Sequence, residues 1–222
     1  RRAACGAAAV GVPSALASEP EPPVRWRSRR VRWTRGDESM QTLYTLAYPF
    51  LAPDDAARIE AIRQAYDPRH RTVPPHFTLV FGCSAVPNSA YTTHVRGVCR
   101  AMPPLRFVCR RAMPWFEREG LAYLFLVPDE GYGDLCRLHD ALNGGVLAPH
   151  LRRDIPFVPH ITIGAGPDRR AVRDWSREVN RRPLEIAGSV AALTIATAKA
   201  DGVSDLVRLP LAGSDSVARL RP

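Results

Sequence analysis

Two short segments of this 222-residue sequence carry the same chemistry: Pro75-His76-Phe77-Thr78-Leu79 and Pro159-His160-Ile161-Thr162-Ile163. In an extended chain, residues two apart point to one face, so His76 projects with Thr78 and His160 with Thr162, while the apolar neighbours turn the other way. Each segment therefore offers an imidazole and a hydroxyl from one platform. An imidazole exchanges protons near neutrality. Two of them, one neutral and one protonated, can take a proton from an attacking water and deliver one to a departing oxygen while hydroxyls hold the non-bridging oxygens. That division of labour suits cleavage of a phosphodiester, needs no metal, and predicts a bell-shaped pH profile with both limbs near neutrality. A lone histidine in a strand is usually structural. With six His and ten Thr in the chain, chance supplies only about 0.3 His-x-Thr triplets, so two that also share a preceding Pro and apolar flanks are a strong signal.

The elements that would position these platforms occur twice. Thr42 to Tyr48 reads as a strand and Pro53 to Tyr66 as a helix, with Pro53 in the first turn, Asp54 and Asp55 after it, and Ile59, Ile62 and Tyr66 on one face. A β run, His76 to Phe81, ends at Gly82; a helix follows over Ser89 to Met102 with Tyr91, Val95, Val98 and Met102 aligned, then a strand from Leu105 to Arg111. The second half repeats this order. A strand spans Leu121 to Val127, a helix Asp134 to Leu142 aligns Leu135, Leu138 and Leu142, and a β run from His160 to Ile163 ends at Gly164. A helix over Asp168 to Asn180 carries Val172, Trp175 and Val179, before strands near Leu184 to Ala198 and Leu206 to Leu211. Tyr44 precedes Pro49 by five residues, as Tyr123 precedes Pro128. The pattern predicts a duplicated α+β domain over residues 40–222, with lobes of approximately 40–115 and 116–222.

At the paired motifs the sequence resembles the two-histidine (2H) phosphoesterase superfamily, in its branch of 2'-5' RNA ligase-like and 2',3'-cyclic phosphodiesterase proteins, over roughly Met40 to Leu211. The resemblance implies two pseudo-symmetric lobes, each an antiparallel sheet with helices, around a central cleft lined by His76, Thr78, His160 and Thr162. It implies hydrolysis of a cyclic or internucleotide phosphodiester at a ribose 2' position without cofactor or metal, and reversible 2'-5' ligation is known in the same family. The partner would be a nucleotide or an RNA 2',3'-cyclic phosphate. One departure bears on substrate: some RNA-processing relatives follow the second motif with a basic residue, where this chain has Gly164-Ala165-Gly166 and supplies Arg169 and Arg170 only later. A smaller cyclic nucleotide thus stands beside RNA ends as a substrate. The rival reading is an RNA- or nucleotide-binding protein that keeps the fold without turnover, against which all four motif residues are intact.

Tyr44 and Tyr123 on the opening strands are candidate substrate contacts, as are Trp115 and Phe116 beside Pro114 in the inter-lobe connection, which could stack on a base or equally belong to the core. Arg110 and Arg111 could meet a phosphate or form a solvated strand edge. His70, His94, His139 and His150 have no repeat partner, and His94 and His139 fall beside the apolar stripes of helices as boundary residues.

The net charge of +9 permits an anionic partner, but 30 of the 31 basic residues are Arg and eight lie before Met40, leaving +5 for the remainder. The five cysteines form no CxxC pair and no zinc-spaced array, as in a reduced, cytoplasmic protein. No apolar run approaches the roughly 20 residues of a membrane span, and a monomer is expected. Residues 1–39, rich in Ala, Pro and Arg, show no apolar period and read as a disordered extension or as sequence upstream of a true start at Met40.

Overall fold

A computed structural model of the protein describes residues 40–117, 120–199 and 202–213, so the expectation for residues 1–39 lies outside it. Ten strands and four α-helices alternate along the described chain: β1 (Leu43–Ala47), β2 (Phe50–Leu51), α1 (Pro53–Tyr66), β3 (Phe77–Cys83), α2 (Asn88–Ala101), β4 (Leu105–Cys109), β5 (Ala112–Phe116), β6 (Ala122–Leu126), α3 (Tyr132–Leu142), β7 (Ile161–Gly166), α4 (Arg169–Val179), β8 (Ile186–Val190), β9 (Ala192–Lys199) and β10 (Gly202–Pro210). A 3-10 turn spans Gly145–His150. Local signals set the helix ends, Pro53 among them as expected. Pro53 opens α1 and Asp67, before Pro68, closes it; α4 is capped by Asp168, whose side chain accepts from the Arg170 amide.

All pairings among the named strands are antiparallel, in three sheets with the orders β10-β9-β1-β3, β2-β8-β4 and β5-β6-β7. The α+β class is as expected. Sheet membership, however, does not divide at residues 115/116. β9 and β10 extend the sheet of β1 and β3, β8 lies between β2 and β4, and β5 runs across the boundary. The helices cross over as well: α1 packs on β7, and α3 packs on β3. Each histidine motif is thus backed by a helix from the other half of the chain.

Two corrections concern strand ends. β3 continues through Gly82 to Cys83, and β7 continues through Gly164 to Gly166. The glycines do not stop the strands; they admit close neighbours. The Tyr44 ring lies where a Cβ on Gly82 would stand, 2.8 Å away, and Tyr66 Cβ would be 3.0 Å from a Cβ on Gly164. The segment expected to connect the lobes is itself the edge strand β5, where Asn180 exchanges hydrogen bonds with the Ala112 amide and carbonyl (2.9 and 2.8 Å). With Pro114 lacking an amide proton, that edge is closed to a further strand.

One buried core of Leu, Ile, Val, Phe and Tyr side chains runs through the described residues, with Leu135, Leu138 and Leu142 of α3 fully buried. On α1 the interior is occupied by Ile59 and by Arg63, which is 2% exposed, while Ile62 and Tyr66 are only partly buried. Arg63 is accommodated because its donors are met: Asp67 accepts at 3.1 Å, Glu60 at 3.0 Å and the Val73 carbonyl at 2.7 Å. Cys83, Cys99 and Cys109 are buried free thiols; Cys136 is half-buried and also free. No helix among the described residues is long and apolar enough to cross a membrane.

Candidate active site

The two motif strands repeat one another in register. Ala47 pairs with Phe77 and Leu46 with Thr78 in the first sheet; Leu126 pairs with Ile161 and Phe125 with Thr162 in the other. Both ladders then slip at the same point. Thr45 faces Val80 and Leu124 faces Gly164, so Leu79 and Ile163 are each an extra residue immediately after the motif threonine. Such a bulge bends a strand and re-aims the side chains next to it. Each motif strand is also the edge of its sheet. Burial alternates as the spacing requires: Phe77, Leu79, Ile161 and Ile163 are buried, and His76, Thr78, His160 and Thr162 are half-buried.

Both imidazoles are held in the same way. His76 Nδ1 lies 2.8 Å from the Pro74 carbonyl, and His160 Nδ1 lies 2.6 Å from the Val158 carbonyl, two residues earlier in each case. A carbonyl only accepts, so Nδ1 carries the proton and Nε2, across the ring, is left to exchange protons with a ligand. The pKa of His160 is lowered to about 4: burial pushes it down most, the Val158 carbonyl pulls it up, and positive charge on His76 adds to the lowering. His76 is likewise lowered by burial; the Pro74 carbonyl opposes this, Arg63 adds to it and Asp67 opposes it. Positive charge on His76 thus reaches the His160 ring.

Their immediate neighbours differ. Phe125 stacks face-on against His160, with centroids 3.7 Å apart, and an apolar ring at that distance favours the neutral imidazole. Tyr48 meets His76 edge-on at 6.1 Å and donates its hydroxyl to Asp205 at 2.9 Å. The loop entering His76 is gathered by the buried Arg63–Asp67 pair: Asp67 also accepts from the Arg69 amide at 2.9 Å, and its carbonyl meets His70 Nδ1 at 3.0 Å. Tyr48, Phe125, Arg63 and Asp67 were not singled out by the sequence reading. The available signal was the repeat itself, because Tyr48 and Phe125 sit near the ends of the two opening strands that pair with the motifs.

Of the candidate substrate contacts, Trp115 and Tyr123 are paired across β5 and β6 and lie on the face that carries Phe125 and Thr162. Trp115 is 36% exposed and stacks on Phe125 at 6.0 Å; Tyr123 stacks on it at 5.6 Å. Tyr44 lies on β1 over Gly82, two residues before Leu46, the partner of Thr78. Phe116 is placed elsewhere. Strand alternation turns it to the opposite face, where the Arg173 and Arg169 guanidinium groups lie 4.8 and 5.7 Å from its ring. Arg110 is engaged by Asp129, Glu130 and Glu185 on the surface. Among the described residues, no three His, Cys, Asp or Glu side chains gather in a way that could hold a metal ion.

A sequence profile of the 2'-5' RNA ligase superfamily matches residues 51–202, a span that holds both motifs. The chain belongs to this superfamily. A phosphoesterase-named protein of Oceanobacillus iheyensis is 29% identical over 105 residues, covering 46% of this chain and 59% of that protein's length. Among solved structures, E. coli LigT complexed with NADP+ matches with a TM-score of 0.53 at 22% identity, covering 78% of this chain and 99% of LigT. TT0787 of Thermus thermophilus matches with a TM-score of 0.52 at 22% identity and the same coverage, 78% and 99%. These structural likenesses establish the fold, that of the 2H phosphoesterases.

Proposed function

We propose that the protein is a phosphodiesterase that hydrolyses a 2',3'-cyclic phosphate or a related ribose phosphodiester by acid-base catalysis between His76 and His160. The observation that carries this reading is the repeated geometry: two His-x-Thr strands with the same register, the same bulge after Thr, and the same Nδ1-to-carbonyl anchor. Membership of the 2'-5' RNA ligase superfamily supports a phosphoesterase function. The solved LigT complexes with NADP+ and 3'-AMP support a nucleotide as the substrate class.

In this mechanism His160, set against the apolar ring of Phe125, is the base that takes a proton from water through Nε2. His76 gives its Nε2 proton to the departing ribose oxygen. Thr78 and Thr162 donate to the non-bridging oxygens, where charge accumulates in the transition state. The ring face of Trp115, Tyr123 and Phe125 receives the base. Ligation to a 2'-5' bond is the same displacement with a 5'-hydroxyl in place of water: His160 takes the hydroxyl proton, the new P–O bond forms at the cyclic phosphate, and the ribose 3' oxygen departs with the proton from His76. No step calls on a metal.

The test is a panel of 2',3'-cyclic nucleotides, cyclic-ended RNA, 2'-5' dinucleotides and ADP-ribose cyclic phosphate, assayed with chelator present and with the phosphate end of each product identified. Turnover of at least one member that disappears in His76→Ala supports the proposal. Nucleotide binding without turnover of any member would favour the binding-protein reading instead.

A further inference from the structure

α3 carries one polar side chain into the core beside Leu135, Leu138 and Leu142: His139, 5% exposed. A buried imidazole is costly unless its polar atoms are met, and a leucine here would simply continue the stripe. His139 Nδ1 donates to the Leu79 carbonyl at 2.9 Å, and Asn143, which caps α3, donates to the same oxygen at 3.1 Å and to the His139 carbonyl at 2.9 Å. Leu79 is the bulge residue next to Thr78, on the edge strand β3. The face of the same imidazole lies flat on Phe157, with centroids 3.6 Å apart and planes 5° from parallel. Phe157 is three residues ahead of His160. One ring thus touches the chain beside both motifs, although α3 belongs to neither motif strand.

We propose that His139 is a positioning residue that spaces the two catalytic motifs, its ring edge fixing the bulge after Thr78 and its ring face seating the segment that enters His160. The proposal rests on the phosphodiesterase reading above. It extends that reading to a residue outside the repeat.

Two replacements divide its contacts. His139→Phe keeps the ring on Phe157 and removes the N–H, whereas His139→Asn keeps an N–H near the Nδ1 position and removes the ring. With cyclic 2',3'-AMP as probe, both are expected to lower kcat about ten- to a hundredfold, as misplacement on the ångström scale does, while KM changes little. A packing role alone would lower Tm and leave kcat per folded molecule unchanged, and that result overturns the proposal. Should the His139 variants not fold, Phe157→Leu leaves the clamp on Leu79 in place; an unchanged kcat there also overturns it. In parallel, NMR titration of the His76 and His160 C2–H signals in the ligand-free protein reads the spacing without turnover. His139→Phe, or Phe157→Leu in its place, should raise the His160 midpoint as the influence of His76 weakens. If the wild type turns over no substrate, the phosphodiesterase reading fails and this titration alone decides the positioning role: a shifted midpoint sustains it, superimposable curves end it.

Discussion

The strands β3 and β7 share a backbone and differ in their surroundings. Register, bulge and the carbonyl anchor on Nδ1 recur in both. Yet His160 faces an apolar ring, whereas His76 sits within reach of a buried ion pair and a tyrosine bonded to an aspartate. The lesson is that duplication of a motif delivers geometry, while unlike neighbours make two like imidazoles chemically unequal. Acid-base catalysis requires that inequality, since the two rings must hold different protonation states at the same moment.

The largest expected effect comes from removing either member of the pair. His76→Ala or His160→Ala should lower kcat/KM on the order of 10²–10⁴-fold, the usual weight of one proton-transfer group. The double variant should lose far less than the product of the two, because the pair acts as a unit. Independent, multiplying losses in a double-mutant cycle would separate the rings.

Arg63→Met attacks the His76 side alone. It leaves Asp67 buried without its cation, which should cost about 3–5 kcal/mol of stability, read as a fall in denaturant midpoint. An unchanged midpoint would mean that the loop into His76 is not held by this pair.

Phe125→Ala attacks the His160 side. Opening the apolar face should let the His160 pKa climb from about 4 toward its ordinary 6.5, moving the acidic limb of kcat/KM upward in pH. The matching change beside His76, Tyr48→Phe, should leave that limb in place. Equal shifts in the two variants would erase the asymmetry.

The smallest effect belongs to the hydroxyls, where the halves should behave alike. Thr78→Ala and Thr162→Ala should each cost about tenfold in kcat, the worth of one hydrogen bond to a charged group, and Thr→Ser should be tolerated. A loss matching that of the histidines would give threonine a larger role than holding oxygens.

The motif faces were legible because strand alternation is local: His76 and Thr78 against Phe77, and His160 and Thr162 against Ile161, can be read from spacing alone. The bounds of α1, Pro53 and Tyr66, were legible for the same reason. What escaped reading depends on distant partners. Pro114 made β5 look like a connection, and only its pairing with β6 reveals a strand. Arg63 interrupts the apolar stripe of α1, and its burial is intelligible only once Asp67 and the Val73 carbonyl are seen to receive it. The bulges at Leu79 and Ile163 exist only relative to β1 and β6. His139 read as a boundary residue for want of any sign that Leu79 and Phe157 lay on either side of it. The expected pH limbs near neutrality also shift, because burial lowers both imidazoles.

That shift offers the most direct test. In the free enzyme the acidic limb of kcat/KM reports the base and the alkaline limb the acid. With His160 as base near 4 and His76 as an acid below 6.5, the whole bell should lie on the acidic side of an ordinary imidazole pair. Stability should move with it: the unfolded state binds the His160 proton from about 6.5 downward and the folded state only near 4, so Tm should fall as pH drops through that window. The decisive measurement is the pH profile of the residual activity in the two single variants. His160→Ala is expected to lose the acidic limb and His76→Ala the alkaline one. Both limbs surviving in either folded variant would contradict these roles.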